Sequence, residues 1–406
     1  MKILFITPYL ASPPQCGAQR RLEGLIRGLG VRHEVWLLSF ATPNPIEHSA
    51  TQAYCRQMFT VQHDVLKPGA SRKRMLQLRS LASRYSFEQL LYQDDRLQVR
   101  LNQLIRENPF DVVQVEFAQM GSYNLPRYQG RNPVFVLDEH NIEYDIVRRT
   151  AHADGGVLRK AYSAANWRKV RNEELAAWRR FDGVALTSKR DEELLLEDVP
   201  SARTAVIPNA VDLETFTPND TPVEPATLLF FGALDYHPNL EGMEYFLDEI
   251  MPGIQRRMPQ VKLWVVGRNP PSTILTRQSE FIKFTGYVDD PRTYLDRASV
   301  VVVPLRIGGG TRFKIVEAMA KGKPIVSTSI GAEGLDAEHE KHLLLADTPE
   351  AFVESVCRLL EQPEFANTLG KAGRQFAEAH FGWEAVVQKL ERFYDDLLAQ
   401  RTIHAS

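Results

Sequence analysis

Cysteine is scarce in this chain: Cys16, Cys55 and Cys357 are all that 406 residues carry. Their wide spacing excludes a paired zinc motif and a disulfide framework, and it suits a reducing, cytoplasmic compartment. Long apolar runs are missing too. No stretch of 18 or more apolar residues occurs, so the sequence predicts no membrane-spanning helix. The opening MKILFITPYL is apolar but short and broken by Pro8, which predicts a first strand rather than a signal peptide. An excess of one charge is also lacking. The 49 Lys and Arg against 51 Asp and Glu leave a formal net charge of −2, not the basic field that nucleic acid demands. GGGTRFK has no Gly-Lys-Ser/Thr at P-loop spacing, and PYLASPPQCGAQ supplies no G-x-G-x-x-G after the first strand. The ten histidines are dispersed and no Asp-x-Asp pair follows a strand in a suitable context, so the sequence offers no metal cluster.

What is present describes an ordinary globular protein, with 44% hydrophobic and 25% charged residues. The length predicts two domains. Strand-like runs alternate with helical patterns throughout, which predicts α/β architecture with parallel sheets. In the first half the strands fall at Lys2–Thr7, Glu34–Ser39, Asp111–Glu116, Val134–Asp138 and Gly183–Thr187. In the second half they fall at Ala205–Ile207, Leu228–Phe231, Val261–Val266, Ile282–Phe284, Val300–Val303, Ile325–Ser327 and Leu343–Ala346. Apolar residues at helical spacing predict a helix over Leu240–Ile254. A charged helix at Arg190–Glu197, Pro200 and the connector TFTPNDTPVEPAT mark the break between the halves. The domains are therefore read as 1–197 and 198–382, followed by a terminal helical segment, 383–406.

The richest stretch runs from Val300 to Leu335. Four valines without alternation suit a strand covered on both faces. Gly308-Gly309-Gly310 lets backbone approach a ligand, and the helix that follows offers N–H groups and a positive dipole end to phosphate. Arg312 and Lys314 open that helix, where cations are unfavourable unless an anion binds. These features predict a nucleoside-diphosphate site.

EAMAKGKPIVST (317–328) resembles the donor-site signature of the retaining glycosyltransferases of family 4. Colinear resemblances follow at VIPNAVDLETF (206–216), FGALDYHPNLEG (231–242), LWVVGRNP (263–270), FTGYVDDPRTYL (284–295) and FGWEAVVQKLERFY (381–394). A looser match covers the N-terminal half, through ITPYLASPPQCGAQRRLEG and VFVLDEHNIEY. The resemblance implies the GT-B fold: two Rossmann-like parallel-sheet domains facing across a cleft. The first would be the acceptor side and the second the nucleotide-sugar side, with the last helix crossing back to the first. It also implies a metal-independent transfer, needing no cofactor, from a nucleotide-diphosphate sugar to a glycan, a lipid-linked acceptor or a small glycoside.

By the same resemblance Glu317 binds the ribose hydroxyls, as a carboxylate facing a vicinal diol can. The family's second glutamate, eight positions earlier, is replaced by Gly309. Sugar hydroxyls would then be read by backbone groups of Gly308 to Thr311, Gly309 and Gly310 among them, or by other side chains. The usual Arg and Lys after the first strand of the second domain are missing from Gly232 to Asn239. Arg312 and Lys314 are the nearest replacements for stabilising the leaving diphosphate. Gly17 and Arg20, after the first strand, resemble the segment that faces the diphosphate. His140 follows a strand at its carboxyl end, where open α/β sheets bind ligands, and similar enzymes use a histidine there near the reacting sugar. Asp138 either orients it or caps the loop. Gly267, Tyr287 and Val288 lie in strand-end loops suited to a base. A sugar-nucleotide epimerase of the same fold and a catalytically silent nucleotide-sugar binder remain as rival functions.

One insertion has no place in that scheme. Between Val65 and Phe87 lie six basic residues and no acid, interleaved with Met75, Leu76, Leu78 and Leu81. Residues 67–84 are either a helix lying on an anionic membrane at the inner face or an ordinary solvated helix.

Overall fold

In a computed structural model the chain is described over residues 1–14, 16–63, 65, 69–128, 133–151, 157–307 and 312–405. It divides into two compact units, Met1–Pro208 with Val386–Ser406, and Asn209–Ala385.

Among the described residues the first unit is built on seven parallel strands: β1 (Lys2–Thr7), β2 (Glu34–Ala41), β3 (Gln57–Gln62), β4 (Val112–Glu116), β5 (Val134–Glu139), β6 (Gly183–Leu186) and β7 (Thr204–Val206). Their order is β3-β2-β1-β4-β5-β6-β7. Strands β1, β4, β5 and β6 are buried nearly throughout, as expected of aliphatic strands covered by helices on both faces. The order turns back between β1 and β4, the switch point at which such sheets bind ligands beyond their carboxyl ends.

Alternation along β4 and β5 sorts the side chains. Val113, Val115, Phe135 and Leu137 join one apolar cluster with Trp178. Gln114, Glu116 and Asp138 project to the other face, and register makes Glu116 and Asp138 direct neighbours. The helices Gly17–Gly30 and Trp383–Ala405 cover that face. A side chain at Gly183 would lie 2.6 Å from both Leu397 and Phe393, so the terminal helix packs where only glycine fits.

The second unit carries β8 (Thr227–Phe231), β9 (Lys262–Val266), β10 (Ile282–Gly286), β11 (Val300–Val303), β12 (Ile325–Ser327) and β13 (Leu344–Leu345). They are ordered β10-β9-β8-β11-β12-β13, all parallel. The switch point lies between β8 and β11. Each unit is thus a Rossmann-like parallel sheet.

The structure departs from the sequence reading at several elements. Strand β3 was missed because QMFTVQ is an edge strand with polar residues left exposed. The strand read from sequence as Ala205–Ile207 of the second half is Thr204–Val206, and it pairs with β6 of the first unit. Pro200 ends the preceding helix, but a short connection returns the chain to the same sheet. The helix expected at Leu240–Ile254 is interrupted: His237–Tyr245 leads through a π-helical turn, Phe246–Ile250, into Met251–Arg257. Pro252 lacks the N–H that would continue the ladder, and its ring crowds the carbonyl four residues earlier. The terminal helix runs over Trp383–Ala405.

Candidate functional site

In the second unit the functional residues gather at the switch point. Strand β11 feeds the helix Phe313–Ala320, whose N-cap is Arg312 with an extended backbone and no side-chain cap. Lys314, one residue into that helix, turns toward the end of β8. Its Nζ donates to Asn239 Oδ1 at 2.7 Å and lies 4.2 Å from the Phe230 ring centroid. Asn239 is fixed in turn by donating to the Ala233 carbonyl at 2.8 Å. Gly232 makes room for this group, since a Cβ there would meet Asn239 Nδ2 at 2.9 Å and Lys314 Nζ at 3.0 Å. Burial of the ammonium and the neighbouring Arg312 charge push the Lys314 pKa down to about 7, against an upward pull from Glu317. A cation so poorly solvated gains much from an incoming anion. Glu317 lies one turn further along the same helix and is buried, 5% exposed. Arg312, Lys314 and Glu317 therefore share one short segment at the carboxyl edge of the sheet.

Gly267 ends β9 against the end of β8. Any side chain there would fall 1.9 Å from the Gly232 carbonyl oxygen. Its need for glycine is thus met by backbone packing, and that packing sets the spacing of the two loops. Beside it Asp235 accepts from Asn269 Nδ2 at 2.7 Å and lies 3.6 Å from Arg268 Nε. After β10, Tyr287 is 74% exposed and Val288 packs against the core. Tyr287 offers a ring face to solvent, whereas Val288 shapes the loop from below. Gly309, Gly310 and Thr311 lie outside the described residues.

In the first unit, Gly17 opens the helix after β1 and, like Arg20, is exposed at its start. His140 is buried at the end of β5. Its Nε2 lies 2.7 Å from Glu116 Oε2 and 3.7 Å from Asp138 Oδ2, and its ring packs on Phe117 with centroids 4.0 Å apart. Arg21 joins Asp138 through Nε at 2.9 Å and Nη2 at 2.8 Å, while its Nη1 donates to the carbonyls of Ile207 and Pro208. Glu116 Oε1 accepts from Gln114 Nε2 at 2.7 Å, and Gln114 Oε1 accepts from the Tyr394 hydroxyl. A continuous polar chain thus runs Arg21–Asp138–His140–Glu116–Gln114–Tyr394. Burial and the Asp138 charge push Glu116 up; burial pushes Asp138 up as well, but Arg21 overrides it and holds Asp138 below its ordinary value.

No metal cluster is expected from the linear spacing, yet the fold assembles one group of suitable type among the described residues: Glu116, Asp138 and His140. Strand register creates it, not sequence spacing. With the guanidinium of Arg21 bonded to both Asp138 oxygens, the charge a cation would supply is already in place. Arg21 is the residue that sequence reasoning missed. Its signal was available, because Arg21 falls on the same helical stripe as Leu22, Leu25, Ile26 and Leu29.

Beside Ala118 the first unit holds a cavity of about 450 Å³, lined by Tyr85, Gln89, Gln119, Glu173, Glu174 and Arg180 among others. Gln119 Oε1 is buried there with no hydrogen-bond donor among the described residues. On the helix Ala70–Leu81, Met75, Leu78 and Leu81 are 58%, 68% and 59% exposed, and only Leu76 among its large apolar residues is buried. Lys67 lies outside the described residues. Among those described, no helix is long and apolar enough to cross a membrane.

Residues 16–215 match the family described as Glycosyltransferase Family 4, and residues 225–362 match Glycosyl transferases group 1. A phosphatidyl-myo-inositol mannosyltransferase of Mycobacterium leprae is 28% identical over 200 residues, which is 47% of this chain and 52% of that protein. The chain spans about half the length of the first curated relatives it matches. Among solved structures, sucrose-phosphate synthase from Thermosynechococcus elongatus superposes with a TM-score of 0.71 at 20% identity, covering 98% of this chain and all of that one. Anabaena HepE in complex with UDP-glucose gives 0.69 at 16% identity, with coverage of 98% and 100%. These likenesses carry the GT-B fold. With two colinear family matches across most of its length, the chain belongs to the family 4, group 1 glycosyltransferases.

Proposed function

We propose that this protein transfers a sugar from a nucleoside-diphosphate donor to a hydroxyl acceptor, with retention at the anomeric carbon and without a divalent cation. The observation that carries the reading is Lys314, an ammonium held at the switch point of the second sheet with Arg312 and Glu317 on the same helical segment. Arg312 and Lys314 would neutralise charge on the departing diphosphate, and Glu317 would accept from the ribose hydroxyls. The acceptor oxygen attacks the anomeric carbon on the face from which the diphosphate leaves. The carbon–oxygen bond to phosphate breaks, and a phosphate oxygen takes the acceptor proton. His140, oriented by Glu116, supplies a hydrogen bond on the acceptor-side unit.

The cavity beside Ala118 supports a hydroxyl-bearing acceptor, because Gln119 Oε1 is buried at it with no hydrogen-bond donor among the described residues. The Mycobacterium leprae relative, named for mannosyl transfer to phosphatidyl-myo-inositol, supports a lipid-linked one. The exposed Met75, Leu78 and Leu81, flanked by Lys73, Arg74 and Arg79, support peripheral contact with anionic lipid from the cytoplasmic side. The UDP-glucose bound by Anabaena HepE makes uridine-diphosphate sugars the first donors to try.

The test is incubation with UDP-, GDP-, dTDP- and ADP-sugars and candidate acceptors, in excess chelator, with the product's anomeric configuration read by NMR. Transfer with retention is expected. Inversion, or dependence on added magnesium or manganese, would refute the corresponding part. Stoichiometric donor binding without turnover would make the protein a silent nucleotide-sugar binder instead.

A further inference from the structure

At the amino-terminal edge of the first sheet lies a second cavity, of about 380 Å³. Among the described residues four guanidinium groups line it, from Arg127, Arg179, Arg203 and Arg401, against one carboxylate, Asp182. That carboxylate is already engaged: it accepts from Arg127 Nη2 at 2.8 Å and from the Phe135 amide at 2.8 Å. Among the described residues, no carboxylate forms an ion pair with Arg179, Arg203 or Arg401. Burial and the Arg127 charge both act to lower the Arg401 pKa, and Asp182 only partly opposes them. A concave pocket with three uncompensated positive charges is electrostatically unfavourable when empty and complementary to an anion.

The chemistry narrows the ligand. Guanidinium forks match the oxygens of phosphate, to which they bond in pairs. Trp178 and Leu397 provide apolar lining beside them, and the volume falls in the range of small-molecule sites. We propose that this cavity binds a small phosphomonoester, with its phosphate on the arginines and its body against the apolar lining.

The position separates this site from the His140 end of the same sheet. Val134 lines the cavity and Glu139 ends β5 beside His140; a six-residue strand puts those ends ~17 Å apart. The terminal helix reaches both. It carries Leu397 and Arg401 in the cavity and Tyr394 in the Gln114–Glu116–His140 chain.

The probe is inorganic phosphate, with adenosine monophosphate as the ester, at ionic strength matched with sodium chloride. The background is a Lys314→Met/Glu317→Ala variant, so that binding at the donor segment does not contribute. Both ligands should raise the melting temperature and slow amide exchange in the last turns of the terminal helix, since a ligand of the folded state stabilises by mass action. Adding Arg179→Gln and Arg203→Gln, both exposed positions, should not lower the unliganded melting temperature and should raise it slightly, because like charges are removed. It should weaken phosphate on the order of 100-fold, as expected from losing two charge-assisted contacts. Equal responses with and without the arginines, or a response that sodium chloride reproduces, would overturn the proposal. Its outcome is independent of whether sugar transfer is observed.

Discussion

Arg21 grips Asp138 through two N–H···O bonds, at 2.9 and 2.8 Å, and both side chains are about 1% exposed. A pair so buried does little for stability compared with apolar residues of the same shape. Removing one partner, however, strands the other charge out of water. Its value here is geometric, since it fixes the carboxylate beside His140.

Arg21→Met should therefore destabilise the first unit by about 3–5 kcal/mol, measured as the loss in chemical denaturation. Arg21→Met/Asp138→Leu should recover much of that loss, because no charge is left unpaired. The acid dependence has a definite sign. Asp138 is held below its ordinary value, so its contribution is present above the unfolded carboxylate pKa of about 3.9 and fades as pH falls through the lower folded value. A single variant as stable as the parent would show that the pair is not what orders this site.

Lys314 should make donor affinity depend on pH near neutrality. Its free-site pKa is about 7, and a bound diphosphate raises it by favouring the charged form. Affinity should thus be full below about 7 and decline as pH rises, until the pKa of the bound state is passed. Calorimetry in buffers of different ionisation enthalpy should register proton uptake at pH 8. Lys314→Met should bind weakly at every pH and take up no proton through this group. Unchanged uptake in that variant would assign the titration elsewhere.

Glu317 and Arg312 should separate in kinetics. Glu317→Ala should raise donor KM, because a buried carboxylate that accepts two charge-assisted hydrogen bonds contributes about 1.5–3 kcal/mol through each. Arg312→Ala should lower kcat more than donor affinity, since charge on the leaving group grows only toward the transition state. Arg312→Lys should restore part of the rate without the guanidinium fork. Parent-like binding by Glu317→Ala would remove its ribose role, and an unchanged kcat in Arg312→Ala would remove the phosphate role.

The second unit was the more legible from sequence. Val300–Val303 and Leu228–Phe231 are continuous apolar strands found where expected, and Arg312, Lys314 and Glu317 follow one strand within a few residues. Sequence proximity alone therefore places them together. The first unit's network was hidden because strand register assembles it from afar: Arg21 and Asp138 are 117 positions apart, and Tyr394 and Gln114 are 280 apart. Helix phase decided the rest. Arg20 is exposed at the start of its helix, while its neighbour Arg21, which the sequence reading left aside, turns into the core. His140 was picked for its place at a strand end, but its partner Glu116 comes from the adjacent strand.

The basic helix provides the last prediction. Met75, Leu78 and Leu81 stand exposed, and Lys73, Arg74 and Arg79 are exposed around them. Arg72 differs, since its Nη2 lies 3.0 Å from His63 Nε2, so reversing it would disturb the fold as well as the surface. Lys73→Glu/Arg74→Glu/Arg79→Glu should abolish sedimentation with vesicles containing anionic lipid, each cation near such a surface contributing about 1 kcal/mol. Met75→Ser/Leu78→Ser should weaken binding even at low salt, which pure charge attraction would not explain. Binding by the parent should fade as added salt shortens the screening length from ~10 Å toward ~3 Å. Donor affinity should hold in both variants, because Lys314 and Glu317 belong to the other unit. Indifference of the parent to anionic vesicles would leave this segment an ordinary solvated helix.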